Sequence, residues 1–482
     1  MFVAHVGYII ARLLIVLSGL QTFGYLVAMG YGESGPAGTL LAAAAFTAFC
    51  SLGLMIAFRG SKLQLDRRVD VFTPLLVLLL LPVFAALPFV IDANAGGFWR
   101  GYFEAVSALT TTGASLLGSG DELGRGLYFY RALLEWGGGL LTVVMVLAVL
   151  THLNIGALQL YDCGLPKGEG EATGERMRKY GAALFIPYAG LTLLCAIALV
   201  LAGEDGFRSS TVALATLSSG GFVQTIGQSA LVDNPAGEWI LILFMLVAGL
   251  NLPLFWYVFR LRRVRRQERE HALTYLRFTV LAVIAVLIVG LPLTASVGDW
   301  LRGGIFSAIS AFSTTGFISS AAPETSLVTL LVLVSLAFLG ASVASTSGGI
   351  KAMRLIILFR HILAELRHLA HPHDAFAPHF AGRLVNEGYL GRIWLLIFAF
   401  GITLMLSTLV FALFGFEITS AVALTVAALS NTGPLIYMVD GQFAGMESLG
   451  NWGLGFFAAL MILGRLEIVA VLSVISAGFW RR

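Results

Sequence analysis

Charged residues are scarce in this chain. Asp, Glu, Lys and Arg make up 12% of its 482 residues, whereas hydrophobic residues make up 58% and the mean hydropathy is +0.88. Soluble domains carry about 25% charged residues, so the composition excludes a soluble enzyme or binding domain and predicts a polytopic membrane protein. Long apolar stretches, each sufficient to cross roughly 30 Å of hydrocarbon, lie at 73–90, 127–150, 275–293 and 390–414.

Several features that define other classes of protein are also missing. The three cysteines, Cys50, Cys163 and Cys195, form no CxxC pair, so neither a disulfide framework nor a zinc site is expected. The sequence contains no GxxxxGK[ST] phosphate-binding loop. No small-residue cleavage site follows the first apolar run, which we interpret as a retained helix. Ionisable residues within the apolar segments are few and scattered, so we predict no enzyme and no cofactor on this chain.

Four short segments resemble one another, and each follows a short helical stretch. A motif that recurs in this way indicates fourfold internal repetition. Small hydroxyl residues beside a glycine suit a loop whose carbonyl groups point inward, and four such loops around one axis would replace the hydration shell of an ion. Helix packing would explain one such glycine, but not four at corresponding positions. The predicted filter residues are Thr111, Thr112, Gly113, Ser219, Gly220, Gly221, Thr314, Thr315, Gly316, Asn431, Thr432 and Gly433.

The repeats predict an all-α polytopic membrane protein with four pseudo-symmetric helix–pore loop–helix units around one pore, preceded by two extra N-terminal helices. Non-helical backbone at membrane depth is tolerated only where protein encloses it or it lines water, which loops on a shared axis would satisfy. Half-helices are predicted near 99–109, 209–217, 301–312 and 419–429. The predicted divisions are 1–69 for the N-terminal helices, 70–160 for unit 1, 161–270 for unit 2, 271–370 for unit 3 with a gating loop, and 371–482 for unit 4.

Basic residues cluster on one side of this topology. They follow the second helix and each of the first three units, whereas Glu33, Asp92, Asp121, Asp233 and Asp440 lie in the opposite loops. The positive-inside rule therefore predicts about ten spanning helices with both termini in the cytoplasm. The same rule explains the basic run at 260–269 without nucleic acid, and this run is a candidate contact for anionic lipid or a regulatory subunit.

The second helix of unit 3 is predicted to be interrupted, because 339–349 is too rich in Gly and Ser for a regular apolar helix. One explanation is a kink filled by packing. The alternative, which we favour, is an intramembrane loop beneath the filter that occludes the pore and moves to open it. The predicted gating residues are Gly340, Ser342, Ser345, Ser347, Gly348, Gly349, Lys351 and Arg465.

Arg465 lies in the middle of the last predicted helix. A charge there costs ~2.5–3.5 kcal/mol on insertion scales, so it usually faces a cavity or a partner. Residues two apart do not face each other on a helix, so Glu467 is a poor partner for it. We predict that Arg465 faces the pore as an electrostatic barrier, with Glu467 directed to Lys351 or Arg354. The histidines between 361 and 379 are not interpreted as a metal site, because His371 and His373 lie beside Pro372 in a predicted cytoplasmic loop and no Cys is near them.

These features together resemble the Trk/Ktr/HKT superfamily of cation transporters, and most closely the Trk H-type subunits, which have two extra N-terminal helices. Three further stretches support the resemblance. The segment 345–351 is similar to a turn inside the second helix of the third unit, 464–467 to a motif of the last helix, and 371–372 to the loop before the fourth unit. The similarity covers nearly the whole chain.

The resemblance implies potassium uptake across the inner membrane by a homodimer with one pore per subunit, K⁺ being held at the filter residues. It also implies a cytoplasmic TrkA-type ring of RCK domains that binds a nucleotide, ATP/ADP or NAD. In plant relatives a Ser at the first filter glycine accompanies Na⁺ transport, so the Gly at all four positions favours K⁺. Gly220 stands where the other filters have Thr, which predicts weaker selectivity than in a symmetric channel.

Three alternatives remain at this point. The same pore could serve Na⁺- or H⁺-coupled K⁺ symport, or it could admit Na⁺. A membrane-embedded enzyme would need ionisable groups gathered at one depth. A structural scaffold would leave the four similar loops without an explanation.

Overall fold

The structure, a computed structural model, describes most of the chain. The described residues are 2–59, 67–92, 97–117, 123–150, 172–222, 231–232, 234–258, 266–290, 296–321, 326–371, 379–380, 383–384, 387–438 and 446–466. Within them, seven helices are long and apolar enough to cross a membrane. These are Ala4–Gly30, Ser34–Ala57, Phe72–Ile91, Arg125–Val149, Thr173–Leu201, Glu268–Val289 and Leu390–Leu413.

The first two helices form a pair that precedes the repeats. Helix α1 (Phe2–Gly30) and helix α2 (Ser34–Ala57) pack along each other. Their outward faces carry large apolar side chains such as Phe49 and Ile56, which are exposed in the isolated chain. In a membrane this face would contact lipid, which explains why it is apolar.

Four units of similar layout follow. Unit 1 contains α3 (Arg67–Ala85), α4 (Leu87–Ile91), α5 (Phe98–Leu109) and α6 (Arg125–Met145), extended by a π-helical turn (Val146–Leu150). Unit 2 contains α7 (Thr173–Leu201), α8 (Gly206–Ser218), α9 (Pro235–Gly249) and α10 (Leu252–Trp256). Unit 3 contains α11 (Arg266–Val289), α12 (Val297–Phe312), α13 (Leu327–Leu339) and α14 (Ala352–Ala370). Unit 4 contains α15 (Glu387–Leu413), α16 (Ile418–Leu429), two short 3-10 turns (Gly433–Met438 and Met446–Leu449) and α17 (Gly450–Leu466).

Among the described residues, the regular secondary structure is helical apart from one short strand pair between units 3 and 4. There β1 (His379–Phe380) pairs in antiparallel register with β2 (Arg383–Leu384). Three of the predicted spanning helices, α9, α13 and α17, have fewer than 18 residues, so they fall outside the seven long spans. Helices α9 and α13 are short because each ends at a break in the helical backbone, at Gly249 and Leu339.

The half-helices α5, α8, α12 and α16 lie at the predicted places and are largely buried. Two begin with a side-chain cap, which satisfies amides that a helix start leaves open. Asp205 accepts hydrogen bonds from the amides of Phe207 and Arg208 at 3.0 and 3.2 Å, and Ser296 accepts one from Asp299 at 3.2 Å. Such short helices stay in place because protein surrounds them on all sides.

Glycines bring the second helices of units 1 and 4 against the half-helices. A Cβ atom on Gly138 of α6 would overlap the backbone of Leu109, the last residue of α5. A Cβ atom on Gly464 of α17 would likewise overlap the backbone of Leu429, the last residue of α16. Small residues permit this close approach of membrane helices, and the contacts fix the ends of the half-helices.

Candidate ion-conducting site

Each predicted filter begins with the same backbone turn. Four residues that are not glycine have a positive φ at equivalent places: 52° at Thr111, 57° at Ser219, 61° at Thr314 and 54° at Asn431. Outside glycine such angles are uncommon. The four segments therefore share a conformation as well as a sequence motif. They are numbered filters 1 to 4 in chain order.

Backbone hydrogen bonds explain this shared turn. The residue after each left-handed position donates its amide to a carbonyl five residues earlier in the half-helix, which is the Schellman arrangement of a helix end. The donor–acceptor pairs are Thr112 to Ser107 at 2.8 Å, Gly220 to Ala215 at 2.9 Å, Thr315 to Ser310 at 3.0 Å and Thr432 to Ala427 at 2.9 Å. Each loop therefore leaves its half-helix in the same direction.

The four predicted glycines are needed for two different reasons. Gly113 and Gly316 have positive φ angles of 74° and 77°, which glycine adopts without strain. Gly221 and Gly433 do not have a positive φ, but a Cβ atom on either would overlap a neighbouring loop, at Pro434 and Ala114 respectively. The expected special backbone angle thus applies to two of the glycines, and close packing of the loops explains the other two.

The loops contact one another directly. The amide of Gly433 donates to the carbonyl of Thr112 at 2.6 Å, and the side-chain amide of Asn431 donates to the Thr112 hydroxyl at 3.0 Å. A Cβ atom on Gly113 would overlap the backbone of Gly221, which places the first two loops together as well. The third loop joins them, because a Cβ atom on Gly316 would lie 3.0 Å from both Thr432 and Pro434 of the fourth. The structure therefore brings the four predicted filter segments into one cluster, in which the Thr112 carbonyl bonds to the fourth loop.

The predicted interruption of unit 3 is present. Helix α13 ends at Leu339, α14 begins at Ala352, and the intervening segment has positive φ angles at Gly340, Ala344 and Gly349. We name residues 340–351 the intramembrane loop. It contains all of the predicted gating residues except Arg465.

The intramembrane loop lies against three of the four filters. The hydroxyl of Thr346 hydrogen-bonds to that of Ser219 at 2.6 Å, and the amide of Gly348 donates to the Thr314 hydroxyl at 2.8 Å. A Cβ atom on Gly348 would overlap the carbonyl of Ser430, just before the fourth filter. Thr346 is absent from the predicted gating residues, although it makes the side-chain contact to filter 2.

A second helix break, which was not among the sequence-based predictions, supports the loop. Helix α9 ends at Gly249, and the amide of Ser342 donates to the Gly249 carbonyl at 3.2 Å. The amide of Leu252 donates to the Ala344 carbonyl at 3.1 Å, and the Ser342 hydroxyl bonds to the side chain of Asn251. The backbone amides and carbonyls at the breaks of units 2 and 3 therefore hydrogen-bond to each other, because buried polar backbone groups need partners. Proline at 253 was the available sign of this break.

Lys351, Ser345 and Ser347 form hydrogen bonds at the C-terminal end of the intramembrane loop. The Lys351 ammonium donates to the Ser347 carbonyl and, at 3.4 Å, to the Gly348 carbonyl. The hydroxyls of Ser345 and Ser347 hydrogen-bond at 2.6 Å. These contacts hold the loop in a compact turn.

Arg465 joins a continuous helix to this loop. Its Nη2 donates to the Thr346 carbonyl at 2.7 Å and its Nε to the Thr142 hydroxyl of α6 at 2.8 Å, and the side chain is 6% exposed. Within the described part of the chain no carboxylate forms a salt bridge with Arg465. A cavity of about 30 Å³ adjoins it, lined in part by Thr142, Ser347 and Lys351. The predicted pairing of Glu467 lies outside the described residues.

Sequence reasoning also missed two residues beside filter 2. Arg131 and Glu135 lie one turn apart on α6 and are buried at 3% and 0% exposure. Arg131 donates to the Phe222 carbonyl at 3.2 Å, and the Phe222 amide is 3.4 Å from Glu135 Oε1. Two charged residues in an apolar helix were the available sign, because such residues are costly there and usually have a role.

A helical membrane chain in which four loops of one conformation meet, with an intramembrane loop against them, defines a pore-loop membrane protein with fourfold pseudo-symmetry. Residues 79–478 match the TrkH family model, described as a cation transport protein, and the chain belongs to this family. This match confirms both the resemblance seen in the sequence and the predicted fold class.

Individual relatives agree along nearly the full length. The Trk system potassium uptake protein TrkH of Escherichia coli K12 is 29% identical over 98% of both chains, and that of Vibrio parahaemolyticus is 28% identical over 90% of both. The crystal structure of the potassium transporter TrkH from Vibrio parahaemolyticus matches over 100% of both chains, with a TM-score of 0.86 and 25% identity. The Trk system protein TrkG of Escherichia coli K12 is 27% identical over 89% of both chains.

Proposed function

We propose that this chain carries K⁺ into the cell across the inner membrane, through the space enclosed by the four filter loops. The observation that carries the proposal is the shared left-handed turn after each half-helix, at Thr111, Ser219, Thr314 and Asn431. Such a turn places backbone oxygens at equivalent positions, and oxygens in a ring can replace the hydration shell of K⁺. The potassium uptake activity named for the relatives supports the same ion.

The intramembrane loop is the proposed gate. Its contacts to filters 2, 3 and 4 support this role, because a segment in that position blocks the route below the filter. Opening would break the bonds of Thr346 to Ser219 and of Gly348 to Thr314. Residues 340–351 contain three left-handed positions, and polar contacts hold them in place together with the buried side chains of Val343 and Ile350.

Arg465 is the proposed electrostatic barrier at this gate. A unit charge 4 Å from an ion contributes about 4 kcal/mol at an effective dielectric near 20, and water in the adjoining cavity would screen part of that. The bond of Arg465 to the Thr346 carbonyl supports a second role, in which the same side chain holds the loop closed. Repulsion of cations and retention of the loop would act in the same direction.

Regulation by a cytoplasmic partner completes the proposal. We infer a homodimer with cytoplasmic termini, one pore per subunit, and a TrkA-type ring of RCK domains that senses ATP/ADP or NAD. The Trk system to which the named relatives belong supports a partner, and the basic run at 260–269 is a candidate surface for it. The proposed divisions of the chain are 1–69 for the two extra N-terminal helices, then 70–160, 161–270, 271–370 and 371–482 for the four units.

The test is ⁸⁶Rb⁺ uptake into proteoliposomes with the Na⁺ and pH gradients varied independently. Uptake that follows the Rb⁺ gradient alone would support channel-like flux, and uptake that requires a Na⁺ or H⁺ gradient would show coupled symport. The Gly221→Ala variant is the control, because its Cβ atom would overlap Pro434 within the loop cluster. Equal uptake by this variant, by empty liposomes and by the native chain would contradict the proposal.

A further inference from the structure

Filter 2 lacks a hydrogen bond that the other three filters make within themselves. In filters 1, 3 and 4 the residue just before the left-handed residue carries a hydroxyl group. This group hydrogen-bonds to the hydroxyl of the threonine just after the left-handed residue. The pairs are Thr110 with Thr112 at 2.8 Å, Ser313 with Thr315 at 2.8 Å, and Ser430 with Thr432 at 3.0 Å. Filter 2 has Gly220 at the threonine position, so Ser218 keeps the bonds back to its half-helix that the other three hydroxyls also make, here to the carbonyls of Leu214 and Ala215 at 2.9 and 3.0 Å.

A second internal bond is missing from filter 2 as well. In units 1 and 3 a serine of the half-helix donates to the carbonyl just beyond the filter glycine. Ser107 bonds to Ala114 at 2.7 Å and Ser310 to Phe317 at 2.8 Å. The backbone pattern places Ala215 at the equivalent position of unit 2, where the side chain has no hydroxyl. Filter 2 therefore has neither of the side-chain bonds that filters 1 and 3 have.

Helix α6 of unit 1 makes replacement contacts for both. Nη2 of Arg131 donates to the carbonyl of Phe222, which follows the filter glycine as Ala114 and Phe317 do, at 3.2 Å. The amide of Phe222 donates to Oε1 of Glu135 at 3.4 Å. Nη1 of Arg131 also donates to Ser115 at 2.8 Å, which joins the backbone after filter 2 to that after filter 1.

The Glu135 carboxyl group occupies the space in which the other filters hold a threonine side chain. A Cβ atom built on Gly220 would overlap both Oε1 and Cδ of Glu135. The side chain of Glu135 is fully buried, so it cannot withdraw into solvent. A side chain at position 220 and the carboxyl group of Glu135 therefore cannot occupy this space together. Either filter 2 carries its own threonine, or Glu135 of α6 occupies the place of the threonine side chain.

We propose that Glu135, together with Arg131, positions filter 2 and so determines part of its ion selectivity. The inference rests on the proposed function, because a selective filter must be present for its geometry to matter. Selectivity depends on the placement and rigidity of the coordinating oxygens. Buried backbone groups that lose their partner rearrange or become costly. A filter without this support would discriminate less between K⁺ and Na⁺.

The test compares four variants by their ratio of ⁸⁶Rb⁺ to ²²Na⁺ uptake in proteoliposomes. Glu135→Ala should lower the ratio at least about fivefold, as expected for loss of a hydrogen bond to a buried backbone group. Glu135→Gln should stay near the native ratio, since its amide oxygen can still face the Phe222 amide. Gly220→Thr alone should lose uptake because of the overlap with Glu135. The double variant Glu135→Ala with Gly220→Thr should recover both uptake and ratio, because it gives filter 2 the residue of its neighbours.

Glu33→Ala is the matched control. Glu33 also accepts hydrogen bonds from backbone amides of α6, those of Arg125 and Gly126 at 2.7 and 2.9 Å, but these lie at the first turn of the helix, before Arg131 and Glu135. This variant should lower thermal stability and leave the ratio unchanged. A general weakening of α6 would instead lower the ratio in Glu33→Ala and Glu135→Ala alike, and would overturn the proposal.

The remaining outcomes separate this proposal from the proposed function. A native chain that takes up Rb⁺ and Na⁺ equally would refute a selective pore. A selective native chain whose ratio survives in folded Glu135→Ala would refute the role of Glu135 alone. If Glu135→Ala does not fold, the double variant decides, because a folded and selective double variant supports the replacement and an unfolded or unselective one overturns it.

Discussion

The second helices of units 1 and 4 run on past the filters without a gap, whereas those of units 2 and 3 break beside each other. Gly138 of α6 and Gly464 of α17 each pack against the last residue of the half-helix in the same unit. Helix α9 ends at Gly249 and α13 at Leu339, and the two free backbones hydrogen-bond to each other. Within the described residues, the second helices of units 1 and 4 thus form a continuous half and those of units 2 and 3 a broken half.

This difference suggests separate roles for the two halves: the continuous half supports the fold, and the broken half contains the segment that we propose to move. Buried helix contacts that involve backbone hold the continuous half, and such contacts do not deform gradually. In the broken half, besides the apolar packing of the helices, a small number of polar bonds joins the two breaks to each other and to the filters, and each contributes only about 0.5–1.5 kcal/mol net. Arg465 of α17 crosses from one half to the other through its bond to Thr346. We therefore expect damage to the continuous half to affect folding, and damage to the broken half to affect flux.

The largest effect is expected for Gly464→Leu in the continuous half. Its side chain would overlap the backbone of Leu429, so overpacking should destabilise the protein by about 3 kcal/mol or more. Size-exclusion profiles and thermal unfolding in detergent measure this. Gly53→Leu on α2 is the control, because nothing lies within 4 Å of a Cβ atom at Gly53. Equal stability of the two variants would show that the α17 contact does not support the half-helix.

Arg465→Ala should have the next largest effect, as a gain of flux. It removes the bonds to the Thr346 carbonyl and the Thr142 hydroxyl together with the positive charge. Hydrogen bonds of charged groups contribute about 1.5–3 kcal/mol each, so basal ⁸⁶Rb⁺ uptake should rise more than about tenfold. Arg465→Lys should raise it less because the charge remains.

The control for this change is Arg12→Ala, on an exposed face of α1. A fall in uptake by folded Arg465→Ala would assign the residue to conduction rather than to closure. Failure of both the Ala and Lys variants to assemble would make Arg465 a structural residue of the interface between α6 and α17.

Thr346→Val tests the broken half with a smaller change. It removes the hydroxyl bonds to Ser219 at 2.6 Å and to the Leu217 carbonyl at 3.1 Å, but keeps the carbonyl that Arg465 binds. Basal uptake should rise about two- to tenfold, since one or two bonds of the closed loop are lost. Thr22→Val, on an exposed face of α1, is the control. A lower melting temperature with unchanged uptake would mean that the loop does not move.

Much of this architecture could be predicted from local patterns. The half-helices begin within four residues of their predicted starts and end within one residue of their predicted ends, because a helix end and its following turn depend on residues near in sequence. The interruption at 340–351 was predictable for the same reason, since Gly and Ser are concentrated there. These features need no knowledge of distant contacts.

The features that the sequence did not predict depend on contacts between distant segments. The break of α9 has a local sign in Asn251 and Pro253, but the backbone groups that stabilise it belong to the intramembrane loop about ninety residues later. Glu135 and Phe222 are 87 positions apart, so nothing near Gly220 shows what fills the place of a threonine. The role of Thr346 likewise follows from Ser219, which lies in another unit.

Thr142→Val should produce the smallest effect, because it alters the support of Arg465 rather than Arg465 itself. The Thr142 hydroxyl accepts from Nε of Arg465 at 2.8 Å and donates to the Gly138 carbonyl within its own helix at 2.9 Å. Valine keeps the shape and removes both bonds, while the bond of Arg465 to the intramembrane loop persists. Basal uptake should therefore rise by no more than about fivefold, which corresponds to 1 kcal/mol. In the Arg465→Ala background the same change should add nothing, because Thr142 then has no guanidinium to orient, and additive effects in a double-mutant cycle would place Thr142 outside the closure of the pore.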